Sequence, residues 1–181
     1  MGILRRGAVM TTVAVVALAM TAGAAVAKTV SDQVYAARVC GEIAKVLTPL
    51  EQLRAVDSTD LAAYQEQAVE LLAEASEAAE TAEKALAKVT SKSGGKKAAN
   101  TFDFFFGERA GAFADAQDQI EEGDPSDSSF QSDIRAFVDV LADSPFGFND
   151  PFGAPTITKK KALAKAFEED ETCIALQVEF D

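Results

Sequence analysis

Leu61, Ala68, Ala75, Ala82 and Val89 stand seven residues apart, and Tyr64, Leu71, Ala78 and Ala85 fill a second position of the same repeat. An a/d pattern held over four heptads is the signature of a long helix buried along one seam. Asp57, Ser58, Thr59 and Asp60 offer caps at its start. The repeat predicts a helix from there to about Thr90, roughly 45 Å long at ~1.5 Å per residue. The seam is mostly alanine, so neighbouring helices can approach closely. Glu66, Glu70, Glu74, Glu77, Glu80 and Glu83 give the same helix a solvated face.

The remaining segments supply its neighbours. Val39, Ile43 and Val46 recur at helical spacing in a helix over 30–47. Thr48, Pro49 and Glu51 then read as a capping box with proline at the first helical position. The first helix is therefore expected to kink or restart there and continue briefly through Leu50 and Leu53. Ser93, Gly94 and Gly95 break the chain, and a third helix is expected over 98–122, burying Phe102, Phe106, Ala110, Phe113 and Ile120. Gly107 and Gly111 share one face of it. Each costs ~1 kcal/mol against alanine, and close contact with the alanine face of the preceding helix is the expected compensation. Ser128 with Gln131 caps a short helix ending near Ala142 that carries Phe130, Ile134, Phe137, Val138 and Leu141. The last helix starts near Thr158 and runs through Leu163, Phe167 and Cys173. Beyond it Ile174, Leu176, Val178 and Phe180 alternate with smaller or polar residues, which favours an extended tail and leaves helix or strand open.

These elements predict an all-α fold, an antiparallel helical bundle of four to five helices. Residues 28–181 form its single domain, with a Pro/Gly/Phe-rich loop at 144–155. Residues 1–27 read as a cleavable signal peptide. Arg5 and Arg6 precede an apolar stretch over 8–22, too short for a comfortable membrane span, and Ala25, Val26 and Ala27 form the cleavage site. The leader holds two of the 17 basic residues and none of the 29 acidic ones, so its removal takes the formal charge from −12 to −14. Such a surface repels nucleic acid. An exported chain meets oxidising conditions, so Cys40 and Cys173 are expected to form a disulfide. Short connections make consecutive helices antiparallel. The first and last helices then run parallel, and the bridge joins them.

The same topology separates two ends. One collects Lys92, Lys96, Lys97, Lys159, Lys160 and Lys161 together with Phe146, Phe148 and Phe152 of the loop. The other collects Asp57, Asp60, Glu121, Glu122, Asp124 and Asp127. The three phenylalanines either cover an apolar face left open by the short fourth helix or meet a partner. The lysine run is either a solvated face or an anion contact. The carboxylates lack the spacing of an EF-hand loop, so a polar turn is expected and no metal. The chain contains no histidine, which removes every His-based general base or nucleophile pair. No Gly-rich phosphate loop or zinc-type cluster is present. No catalytic residue and no cofactor is expected.

The small-residue leader ending Ala25-Val26-Ala27, the early Val39-Cys40-Gly41, and Leu53-Arg54-Ala55-Val56-Asp57-Ser58 before a long Glu/Ala helix resemble the small secreted helical proteins of actinobacteria. The resemblance spans about residues 1–90. It implies an extracytoplasmic location and transfers no activity or site residue. The expected function is a non-enzymatic binding protein of the cell envelope or extracellular space, with an envelope component or protein as partner and no transmembrane span. Phe146, Phe148, Phe152, Lys159, Lys160 and Lys161 are its candidate contacts. The alternative is a carrier of a small apolar ligand in a cavity lined by Phe102, Phe105, Phe106 and Phe113.

Overall fold

The computed structural model describes residues 27–57, 59–127, 129, 130, 132, 134 and 151–178. The described chain is an all-α bundle with one small sheet. The elements run β1 Lys28–Val30, α1 Asp32–Ala55, α2 Leu61–Leu86, β2 Val89–Ser91, α3 Gly95–Glu122, α4 Pro155–Thr158, α5 Lys161–Glu169 and α6 Glu171–Val178. The leader lies outside the described residues, as does most of the expected fourth helix. Of the latter, Phe130 and Ile134 are described, and both are buried.

The first two long helices start where the sequence supplies an acceptor. The Ser31 side chain caps α1 by accepting from the Val34 N–H, and Asp60 caps α2 by accepting from the N–H groups of Ala62 and Ala63. The expected restart at Pro49 does not occur, and α1 runs unbroken through it. Proline removes one N–H there, the one that would reach the carbonyl of Lys45, whose side chain is exposed. The Thr48 hydroxyl donates to the Ala44 carbonyl, 2.9 Å away, in the same stretch.

In α2 the seam is wider than the heptad implies. The buried residues are Tyr64, Ala68, Leu72, Ala75, Ala79, Ala82 and Leu86, while Leu71, Ala78 and Ala85 are half-buried. The helix lies between α1 and α3 and packs against both. Serving two neighbours needs a broad 3.6-period stripe rather than the narrow seam of a coiled coil. The Ser76 hydroxyl donates to the Ala110 carbonyl at 3.0 Å, a polar tie between α2 and α3.

The sheet shortens the first expected helix at its start and the second at its end. Residues 28–30 and 89–91 pair as parallel strands, Lys28 with Val89, Thr29 with Thr90 and Val30 with Ser91. The β-branched Val30, Val89, Thr29 and Thr90 suit this geometry. Helix α3 starts three residues before the expected position, at Gly95, whose φ of +56° places it in the left-handed region that glycine tolerates.

The last segment also departs from expectation. One long helix is replaced by α4, α5 and α6, and the residues from Ile174 to Val178 continue as helix rather than an extended tail. The Asp170 side chain explains the break, because it accepts from the N–H groups of Thr172 and Cys173 and so caps a fresh helix. Cys40 and Cys173 form a disulfide with Cα atoms 5.2 Å apart. Tyr35 meets Phe167 and Cys40 meets Cys173, so the C-terminal helices run parallel to α1, as the topology requires.

Candidate functional site

Four separate stretches bring lysines to one end of the bundle. Lys28 opens β1, and its N–H donates to the Lys88 carbonyl at 2.9 Å. Lys92 follows β2, and Lys96 and Lys97 fall in the first turn of α3. Lys159, Lys160 and Lys161 link α4 to α5. The side chains of all eight are exposed.

The scaffold beneath them is rigid. Asp32, in the first turn of α1, accepts from the Ser93 N–H at 2.9 Å and from its hydroxyl at 2.6 Å. The buried Ser91 hydroxyl accepts from the Gly94 N–H at 2.7 Å. A Cβ on Gly94 would lie 2.5 Å from Ala98 Cβ, 2.6 Å from Ser91 Oγ and 2.7 Å from Leu163 Cδ2. Only glycine lets α5 close on the β2–α3 turn, and this contact brings Lys160 and Lys161 beside Lys92, Lys96 and Lys97. The hydroxyls of Thr101 and Thr156, 2.7 Å apart, tie α4 to α3 on the same side.

Three helices begin here, α1, α3 and α5, and neither α3 nor α5 has a side-chain cap. Lysines beside helix N-termini add charge to ends that are already positive. The described ion pairs, Lys45–Glu42, Lys84–Glu80 and Lys165–Glu169, use none of the eight lysines. The one buried carboxylate nearby, Asp32, is turned inward to Ser93. This end therefore gathers eight lysines outside the described ion pairs, in a chain of formal charge −12.

The expected aromatic contacts divide. Phe152 is half-buried, with its ring centroid 5.6 Å from Phe102 and 5.1 Å from Phe167 in edge-to-face contact. It closes a core cluster that also includes Tyr35. Phe146 and Phe148 lie outside the described residues. The site that can be drawn is therefore one of lysines, with Phe152 as packing behind it. Missed in the sequence were Lys28 and Lys88 among the lysines, and Asp32, Ser91 and the close approach at Gly94 in the platform beneath them. Asp32 directly after the capping Ser31 was the available signal.

The opposite end is built from acceptors. Gln65 Nε2 donates to the carbonyls of Ile120 at 2.7 Å and Gly123 at 2.8 Å, holding the C-terminus of α3. Asp124 accepts from the hydroxyl and the N–H of Ser126, which hold its carboxyl below the usual range. The N–H of Thr59 does the same for Asp57. Asp127 accepts from the Ser129 N–H. These carboxylates are spent on turns. Cys40, Cys173 and Asp170 also lie together, but the two sulfurs are joined to each other and the carboxylate caps α6.

The space beside the α3 phenylalanines is small. Phe105, Phe106 and Phe113, with Ile43, Val46 and Leu50 of α1, surround a cavity of about 10 Å³, room for no more than a water. Phe102 belongs to the separate cluster with Phe152 and Phe167. A larger open hollow of about 300 Å³ lies at the acidic end, lined by Ala116, Ile120, Phe130 and Ile134 with Asp124 and Asp127 at its edge. Among the described residues no helix is long and apolar enough to cross a membrane. The chain matches no protein-family model, no curated protein and no solved structure.

Proposed function

We propose that the chain is exported and acts without catalysis as a binding protein of the cell envelope or extracellular space, seating a polyanionic envelope component on its basic end. The observation that carries this reading is the segregation of Lys28, Lys88, Lys92, Lys96, Lys97, Lys159, Lys160 and Lys161 at one end of an acidic molecule. A molecule of net negative charge orients an approaching polyanion toward the end where its lysines are concentrated. The disulfide and the leader sequence support the compartment.

Binding to dextran sulfate, measured by titration at several salt concentrations, tests it. Affinity is expected to fall steadily with added salt, as contacts to a polyanion do. Charge reversal of Lys159, Lys160 and Lys161 to Glu is expected to abolish it. Binding that ignores both salt and the reversal overturns the reading. Repeating the comparison by pull-down from envelope fractions identifies the natural polyanion.

The carrier reading draws its support from the hollow between Ile120 and Phe130 rather than from the α3 phenylalanines, whose cavity is too small. Saturable uptake of an apolar dye, lost in Phe130→Ser, would favour it.

A further inference from the structure

We propose that the exposed face of α3 is a docking surface for a second copy of this chain, in an antiparallel two-fold arrangement. Phe104 is 61% exposed, the most exposed large apolar side chain among the described residues. One turn below it the helix carries Gly107, and one turn further Gly111. Glycine is the least favourable helix residue after proline. Close packing on α2 does not explain Gly111, because a Cβ there would meet nothing within 4 Å. At Gly107 a Cβ would touch only the Glu83 carboxylate, at ordinary contact distance of 3.6 Å. The close contact of α2 with α3 therefore does not run through Gly111, which leaves a flat patch beside Phe104 on the solvent side of α3.

The charges flanking this patch say what fits it. At 3.6 residues per turn, Lys97, Asn100, Phe104, Gly111, Asp115 and Asp118 fall within roughly 60° of arc. All six are exposed. The stripe is basic at its N-terminal end, apolar at Phe104 and Gly111, and acidic at its C-terminal end, with the exposed Glu108 roughly 20° outside the arc. A surface of that pattern is complementary to itself when one copy is turned end for end. Seating Phe104 on Gly111 of the second copy puts the two-fold axis between Gly107 and Glu108. The same register sets Asn100 opposite Asp115 and Lys97 opposite Asp118. Each pair is made twice, as an isologous interface requires. This register also brings the exposed Glu108 side chains of the two copies to the axis, where they must turn outward to solvent, so the Lys97–Asp118 and Asn100–Asp115 pairs are what distinguish this occupant from a generic apolar partner.

A single helix-on-helix contact is small beside the interfaces of permanent dimers, so the expected dimer is concentration-dependent and weakened by salt. Sedimentation equilibrium of the full chain from micromolar to millimolar concentration tests it. Phe104→Ser and Gly111→Gln are each expected to weaken dimerisation about tenfold or more. Gly111→Gln is expected to do so while raising the melting temperature, which separates lost docking from lost folding. Lys97→Glu alone and Asp118→Lys alone each place like charges opposite one another and weaken association. The double variant Lys97→Glu/Asp118→Lys restores the pairing and is expected to return the dissociation constant to near the wild-type value. A chain that stays monomeric throughout overturns the proposal. So does a dimer indifferent to Phe104→Ser and Gly111→Gln, or one that the charge swap fails to restore.

Discussion

The Ser93 hydroxyl donates to Asp32 Oδ2 at 2.6 Å across 61 residues of sequence, while the Ser93 N–H donates to the other oxygen of the same carboxylate at 2.9 Å. Asp32 is only 8% exposed. It closes the β1-α1-α2-β2 unit and fixes the turn from which α3 departs. Its negative charge also sits favourably in the first turn of α1. Asp32→Ala takes the acceptor from two part-buried donors and is expected to lower stability by about 1–3 kcal/mol in urea denaturation. Asp32→Asn keeps one acceptor oxygen and should fall between the two. Equal stability of all three chains would mean that the turn is held by the strand pairing alone.

Tyr35 is fully buried, with its ring against Phe102 and Phe167 and its hydroxyl without a hydrogen-bond partner among the described residues. Burial first, and the negative charge of Asp103 second, push the phenol well above its ordinary value. The unfolded chain ionises this group near ~10, and the folded chain only at higher pH. The stabilising contribution is therefore complete below ~10 and is lost as pH rises above it, at up to ~1.4 kcal/mol per pH unit. Tyr35→Phe removes a buried hydroxyl that gains nothing. It is expected to raise stability at neutral pH by about 1 kcal/mol and to flatten the alkaline loss. Urea melts at neutral and alkaline pH, with an absorbance titration of the tyrosines, measure both effects. A Tyr35→Phe chain less stable at neutral pH would reveal a partner for the hydroxyl.

What was legible in the sequence was whatever a single helix encodes in its own periodicity. Phe102, Phe106, Ala110, Phe113 and Ile120 are buried as their spacing predicts. The parallel course of α1 and the C-terminal helices followed from short connections and the pairing of Cys40 with Cys173. What was hidden depends on neighbours. Leu72, Ala79 and Leu86 are buried in place of Leu71, Ala78 and Ala85 because α2 is flanked on two sides. Lys28–Val30 and Val89–Ser91 are strands only because they meet each other, and three residues, even with two β-branched in each run, are too few to signal a strand alone. Of the candidate site, Lys92, Lys96, Lys97, Lys159, Lys160 and Lys161 could be assigned to one end from topology, whereas Lys28 and Lys88 join them only through the strand pairing. Their platform could not be assigned, because Gly94 and Leu163 meet only in the folded chain.

Gly94 and Gly111 respond oppositely to the same substitution. Alanine at Gly94 drives a methyl into Ala98, Ser91 and Leu163, and the Ala98 contact at 2.5 Å belongs to a helix that cannot easily yield. Gly94→Ala is expected to lose about 1–3 kcal/mol. Alanine at Gly111 meets empty space and only removes backbone freedom from the unfolded chain, so Gly111→Ala is expected to gain about 1 kcal/mol. Thermal melts of dilute protein, where self-association is suppressed, compare them directly. A loss at Gly111 of the same size as at Gly94 would show that α3 packs against something on that face.

The C-terminal helices hold their place by the bridge. α5 has 9 residues and α6 has 8, both too short to persist alone in water. Leu163, Ala166, Phe167, Cys173 and Leu176 bury them against the bundle. The disulfide spans a sequence separation of 133, and closing a loop that long removes about 5 kcal/mol worth of unfolded-chain entropy. Cys40→Ala/Cys173→Ala is expected to lose a stability approaching that figure. Amide hydrogen exchange should also show where the loss falls. Protection is expected to drop first in α5 and α6, while α2 and α3, tied through Ser76 and Ala110, retain theirs. If all helices lose protection together, α5 and α6 form one cooperative unit with the bundle, and the bridge stabilises the whole molecule rather than latching its end.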